Sequence, residues 1–199
     1  MSQKAEQKQK SHDAILESAA ALLLERGIRA SSVMDVMKGA GLTVGGFYGH
    51  FESKEHLFTE TIHRTARAMW SGLIQGAMRD TSRPPVLSVL YRYLSRKHRD
   101  NVEVGCPLPS ITSEVAREGE PYREALEKEL AGFIQDLSGL LGPGEKSREN
   151  ALALLALMFG ALSLARAVRG TRLSDEFLEA ARKFGARALN EGSTPPERH

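Results

Sequence analysis

Five glycines fall within eleven residues, at Gly39, Gly41, Gly45, Gly46 and Gly49. Each costs roughly 1 kcal/mol relative to alanine inside a helix, so this stretch is not part of one long helix. Gly39-Ala40-Gly41 forces a tight turn after a short helix whose inward face is Val33, Val36 and Met37. Ser31 or Ser32 caps that helix, and Ser32-Val33-Met34-Asp35 reads as a capping box with Asp in the Glu position. A third short helix starts at Thr43, whose side chain is expected to cap it, and ends near His50-Phe51. Phe47 and Phe51 are four residues apart and turn inward together. A longer helix precedes the pair, from about Ser11 to Arg26, with Ile15, Ala19, Leu22 and Leu23 at helical spacing and Gly27 as its stop.

Two short helices joined by a glycine-containing turn make a helix-turn-helix, whose second helix enters the DNA major groove while the first crosses the backbone. The third helix has the chemistry for close approach. Gly45, Gly46 and Gly49 carry no side chain to hold a duplex away. Tyr48 and His50 offer polar tips, and Thr43 with the helix start offers backbone N–H groups to phosphate. Lys54, at the start of the next helix, reaches the same strand. The competing reading of the same residues is a glycine-rich connector between two helices.

The run from Val33 to Phe58 resembles the N-terminal domain of the TetR/AcrR family of regulators. Phe47-Tyr48, His50-Phe51, Ser53-Lys54-Glu55 and Leu57-Phe58 carry the resemblance, which covers about residues 11–58. It implies that Thr43, Val44, Gly45 and Gly46 face the bases. It implies that Ser32, Tyr48, His50 and Lys54 grip the backbone. Gly49 departs from the pattern, because many members carry an aromatic residue there.

Helix formers dominate the remaining sequence, and the residues that favour strands are sparse. The expected fold class is all-α, with about nine helices: a three-helix DNA-binding domain at 1–52, a larger helical body at 53–192, which the resemblance implies is an effector-binding and dimerisation domain, and a disordered tail at 193–199. The later helices are expected at about 53–78, 86–99, from Cys106 onward, 122–141, 146–169 and 174–190, the last capped by Ser174. The polar N-terminus lacks an apolar core segment, Ala151–Ala165 is short for a membrane span, and one cysteine forms no internal disulfide, so a cytoplasmic protein without a membrane partner is expected. The formal net charge of +2 does not itself point to nucleic acid.

The resemblance further implies a homodimer on a palindromic double-stranded DNA operator, released by an unidentified small-molecule effector. The dimer surface would come from the last two helices, through Leu154, Leu157, Met158, Ala161 and Leu164 and through Phe177, Ala181 and Phe184; an ordinary internal core is the other reading. The resemblance makes Trp70, Tyr91, Leu94, Ile111 and Phe133 candidate effector-pocket residues, although each by itself reads more readily as core. Arg79, Arg83, Arg92, Arg96, Lys97 and Arg99 make a basic stretch that reads first as a solvated face and second as a contact for an anionic effector. Cys106, before Pro107 at a helix start, is either a packed apolar residue or a thiol sensor of oxidants or electrophiles. An enzyme would rest on Cys106 and His98 alone, with no recognisable acid–base partner or oxyanion site. His50, His56 and His63 lack a completed metal ligand set. No cofactor, metal or catalytic residue is assigned, and a protein-binding adaptor is the remaining alternative.

Overall fold

The computed structural model describes residues 3–102 and 105–191. Among the described residues there are nine α-helices, one 3-10 helix and no strand. In chain order they are α1 (Gln3–Arg26), α2 (Val33–Gly39), the 3-10 helix (Val44–Gly49), α3 (Lys54–Met78), α4 (Pro85–Tyr93), α5 (Arg96–Asp100), α6 (Leu108–Glu118), α7 (Glu120–Leu141), α8 (Ser147–Ala167) and α9 (Arg172–Glu191). The tail expected at 193–199 lies outside the described residues. Two compact units divide the chain, one of Met1–Met69 and Val102–Leu130, the other of Trp70–Asn101 and Ala131–His199. The division falls inside α3 and α7 rather than beside residue 52, where the motif ends.

In the first unit, α1 packs on α2 and α6. Ile15, Ala19, Leu23, Ile28, Val36, Met37, Leu57, Phe58 and Ile62 are fully or almost fully buried, and α6 contributes Ile111 and Val115. A carboxylate ties α6 to the end of α1. The backbone N–H of Ile28 donates to Glu114 Oε2 at 2.6 Å. Gly27 turns the chain there with a φ of +80°, and a β-carbon on it would overlap the Glu114 carboxylate. The backbone conformation therefore favours glycine, and a side chain there would also displace the carboxylate from Ile28 N. A second tie joins α3 to α7: the buried Glu129 carboxylate pairs with His63 Nδ1 and accepts from Arg67 Nε at 3.1 Å.

In the second unit, α8 and α9 form the most extensive helix pairing, and both also touch α4. By length and composition α8 is apolar enough to cross a membrane. Its residues Ala151, Leu154, Leu155, Met158, Ala161, Leu162 and Ala165 are buried in this unit, as in a core helix. Arg99 pins α5 to the start of α9. It is almost wholly buried and donates to Ser174 Oγ at 2.9 Å and Asp175 Oδ1 at 2.7 Å. Arg96 and then Arg99 hold the Asp175 carboxyl below its ordinary range.

Several expected boundaries shift for local reasons. α1 begins at Gln3, eight residues before Ser11, because Gln, Lys, Ala and Glu all favour helix. The helix expected at 86–99 is two, because Ser95 takes an extended backbone and its side chain accepts from His98 N, capping α5. Ser53 caps α3, accepting from His56 N at 3.1 Å. Ser174 is not a cap: α9 starts two residues earlier, and the buried Ser174 hydroxyl donates to Ala165 O at 2.6 Å.

Gly27→Ala is expected to destabilise the fold by about 1–3 kcal/mol, and Glu114→Ala, which orphans an N–H, by a similar amount. The double variant should lose less than the sum, because removing the carboxylate relieves the overlap. Urea unfolding of the three variants checks this, and strict additivity would refute the contact. A second expectation concerns acid. His98 Nδ1 donates to Tyr93 O at 2.8 Å. Burial pushes this imidazole down to about 4, against the opposing Tyr93 hydrogen bond and with help from Arg166. Between the ordinary value near 6.5 and about 4, the unfolded chain binds a proton that the folded chain refuses. Stability should therefore fall as pH falls through that window, by at most about 3 kcal/mol. His98→Gln should flatten the profile there; parallel profiles would contradict the assignment.

Candidate nucleic-acid interface

The α2–turn–3-10 segment is built from its caps inward. Ser32 has an extended backbone and forms the full capping box with Asp35. Its hydroxyl accepts from Asp35 N at 3.1 Å and donates to Asp35 Oδ2 at 2.6 Å. That hydrogen bond holds the Asp35 carboxyl below its ordinary value, so an anion sits beside the hydroxyl assigned to a phosphate. At the other end of α2, Gly41 takes a φ of +69°, and Leu42 N donates to Met37 O at 2.9 Å, closing the helix and turning the chain. The third helix is a 3-10 turn rather than an α-helix, with Gly46 N donating to Thr43 O and His50 N to Phe47 O. Thr43 has the extended backbone of a cap but makes no side-chain cap hydrogen bond, so its hydroxyl is left to the surface.

Phe47 and Phe51 fix this turn to the rest of the unit. Both are 1% exposed, and their rings stack with centroids 5.8 Å apart. The opposite side is open: Thr43, Val44, Gly45, Gly46, Tyr48 and Gly49 are exposed, Tyr48 at 77%. None of the three glycines here has a positive φ. A β-carbon on Gly45 or Gly49 would meet nothing within 4 Å, and one on Gly46 would meet only ordinary contacts at 3.9 Å. Neither backbone conformation nor internal packing explains three glycines on one exposed turn.

His50 is half-buried, and its Nδ1 is buried without a hydrogen-bond partner among the described residues. Burial lowers its pKa, helped by the charges of His12 and Lys8. Lys54 is half-buried with Nζ 5.7 Å from the centre of the Phe58 ring. His12, which no sequence signal marked, sits beneath the site. It stacks on Phe51 at 4.7 Å, lies 5.8 Å from the His50 ring, and its Nε2 is 2.9 Å from Glu60 Oε1. Nothing in a single sequence ties residue 12 to residues 50 and 60. His50, His56 and His63 have separate surroundings: Glu52 N donates to His56 Nδ1, and His63 pairs with Glu129.

The other expected site residues divide between the units. Trp70, Tyr91, Leu94 and Phe133 lie in the second and Ile111 in the first. Trp70 and Phe133 are buried and stack at 4.3 Å. The Trp70 Nε1 hydrogen points at no acceptor among the described residues. Leu94 and Ile111 are fully buried, whereas Tyr91 is half-exposed under Arg83 at 4.8 Å. On α8 and α9, Leu154, Met158, Ala161 and Ala181 are buried within the chain's own core. Leu157 and Phe177 are half-exposed, and Leu164 and Phe184 are 50% and 58% exposed. Cys106 is a fully buried cysteine ahead of α6.

Comparisons with known proteins converge on this segment. Residues 15–61 match the family model described as bacterial regulatory proteins, tetR family. The HTH-type transcriptional repressor KstR2 of Mycobacterium tuberculosis is 48% identical over 48 residues, 24% of each chain. The match thus spans about a quarter of that relative's length. The HTH-type transcriptional repressor NemR of Escherichia coli is 28% identical over 142 residues, 68% of each chain. The crystal structure of reduced E. coli NemR superposes with a TM-score of 0.77 at 25% identity, covering 89% of this chain and 96% of that one. Residues 15–61 carry the domain of the tetR family of bacterial regulatory proteins, and the whole chain is similar in fold to NemR.

Proposed function

We propose that this protein is a cytoplasmic transcriptional repressor that binds a palindromic DNA operator as a homodimer and lets go when a small molecule binds. One observation carries the DNA reading: an exposed 3-10 turn holds three glycines that its own fold does not need, next to a tyrosine, a histidine and a lysine. A surface shaped for contact with something outside the chain explains them, and a duplex backbone is the partner that close approach and polar tips suit. The similarity to KstR2 and NemR, both HTH-type transcriptional repressors, favours the same function. Thr43, Val44, Gly45 and Gly46 would face base edges, and Tyr48, His50 and Lys54 the phosphates. Ser32 would contribute its hydroxyl only by giving up Asp35.

For the dimer, Leu157 with Leu164 and Phe177 with Phe184 are each seven residues apart, so each pair shares one side of its helix. Their exposed apolar surface suits a second copy, and a two-fold dimer suits two half-sites. For the effector, the buried Trp70 N–H, which has no acceptor among the described residues, is a ready polar contact. Effector and operator would then favour different arrangements of one dimer, each weakening the other's binding equally.

Two measurements test this. Gly45→Leu should keep the wild-type melting temperature or raise it, since the side chain has open space. It should weaken binding to a duplex selected from a random pool by at least about 100-fold, the scale of 2–3 kcal/mol. Unchanged affinity would remove the close-approach reading. Phe184→Glu together with Leu164→Glu should shift sedimentation from twice the 21.8 kDa chain mass to the chain mass itself. A dimer that survives both charges would place the interface elsewhere.

A further inference from the structure

Residues 3–10 add about two turns to α1 ahead of the stretch that packs in the first unit. All eight are exposed, so they gain nothing from burial. Lys4, Lys8 and His12 follow one another at intervals of four and therefore form a stripe on one face of the helix. His12 fixes where that stripe leads, because it stacks on Phe51 and lies 5.8 Å from the His50 ring. The positive charge of Lys8 is felt at His50, which places it on the same side.

The two lysines differ from Arg64 and Arg67 of the same unit. Arg64 is paired with Asp13 and Glu17, and Arg67 with Glu129. Among the described residues, no side-chain hydrogen bond or ion pair involves Lys4 or Lys8, and the only acid of the first ten residues, Glu6, lies two positions off the stripe. Lys8 and Lys4 stand about 6 and 12 Å from His12 along the helix axis. Phosphates of one strand advance about 3.4 Å per nucleotide along a duplex, so the two ammonium groups match phosphates about two nucleotides apart.

We propose that the first two turns of α1 are a second grip on the DNA backbone, in which Lys4 and Lys8 bind phosphates flanking those held by the 43–54 segment. This rests on the DNA-binding reading above. The grip is electrostatic and indifferent to sequence, since an ammonium on a flexible stem neutralises phosphate without reading bases. It supplies affinity and positioning that the small total charge of the chain does not suggest.

The test uses the full-length chain and a random-sequence duplex of about 30 base pairs, with affinity measured between 50 and 200 mM KCl. Each phosphate contact contributes about 0.9 to the slope of log affinity against log salt. K4Q/K8Q should therefore lower that slope by about 1.8 and weaken binding on the order of 50-fold at 0.1 M salt. K4R/K8R, which keeps both charges, should behave as wild type, and all three proteins should melt together because the positions are exposed. Wild-type slope and affinity in K4Q/K8Q would overturn the second grip while leaving the DNA reading intact. A wild-type protein with no salt-dependent binding would overturn the DNA reading itself, and the grip with it.

Discussion

The stacked pair of Phe47 and Phe51 is the constraint on which the rest depends. A 3-10 turn of six residues with three glycines has poor hydrogen-bond geometry and no propensity to form alone. Two buried rings, 5.8 Å apart, hold it against the first unit. Burying two aromatic side chains contributes several kcal/mol, on the scale of about 25 cal/mol per Å² of apolar surface. That is enough to offset the roughly 3 kcal/mol that three glycines forgo. The stabilising residues point inward, so the outward side is free to be selected for contact rather than for stability. His12 extends this anchor to α1 by stacking on Phe51.

Much of the fold was legible because its signals are local. The Ser32–Asp35 capping box, the Ser53 cap and the glycine stops at Gly27 and Gly41 all sit where spacing places them. The departures were decided by competition for the same side chains. Ser95 is an adequate helix residue by spacing, yet its side chain caps α5 and splits the expected helix. Ser174 looks like a cap, yet it lies between Arg99 and Ala165 O in a network that spans 75 residues of sequence. Thr43 looks like a cap as well, but makes no such bond in the tighter 3-10 turn.

The candidate site was legible as a list of residues and not as an arrangement. Spacing marks Gly45, Gly46, Tyr48, His50 and Lys54, but not that the Ser32 hydroxyl is taken by Asp35 or that His12 lies beneath His50. Similarly, the apolar residues of α8 and α9 look alike in sequence. The structure separates Leu154, Met158, Ala161 and Ala181, which face the chain's own core, from Leu164 and Phe184, which do not. The lysines of the first turns carry no motif. Their position matters only once α1 is seen to continue through them as helix. A net charge of +2 hides them too, because the sum counts paired arginines and unpaired lysines alike.

The most direct test of a DNA-reading turn watches its glycines. In a spectrum of the full-length protein labelled with nitrogen-15 glycine, a selected operator duplex should shift the amides of Gly45, Gly46 and Gly49. Gly132 and Gly139 of α7 and Gly160 of α8 should stay in place or move far less. Shifts confined to the α7 and α8 glycines, with the three turn amides unmoved at saturation, would contradict the assignment of this segment to DNA.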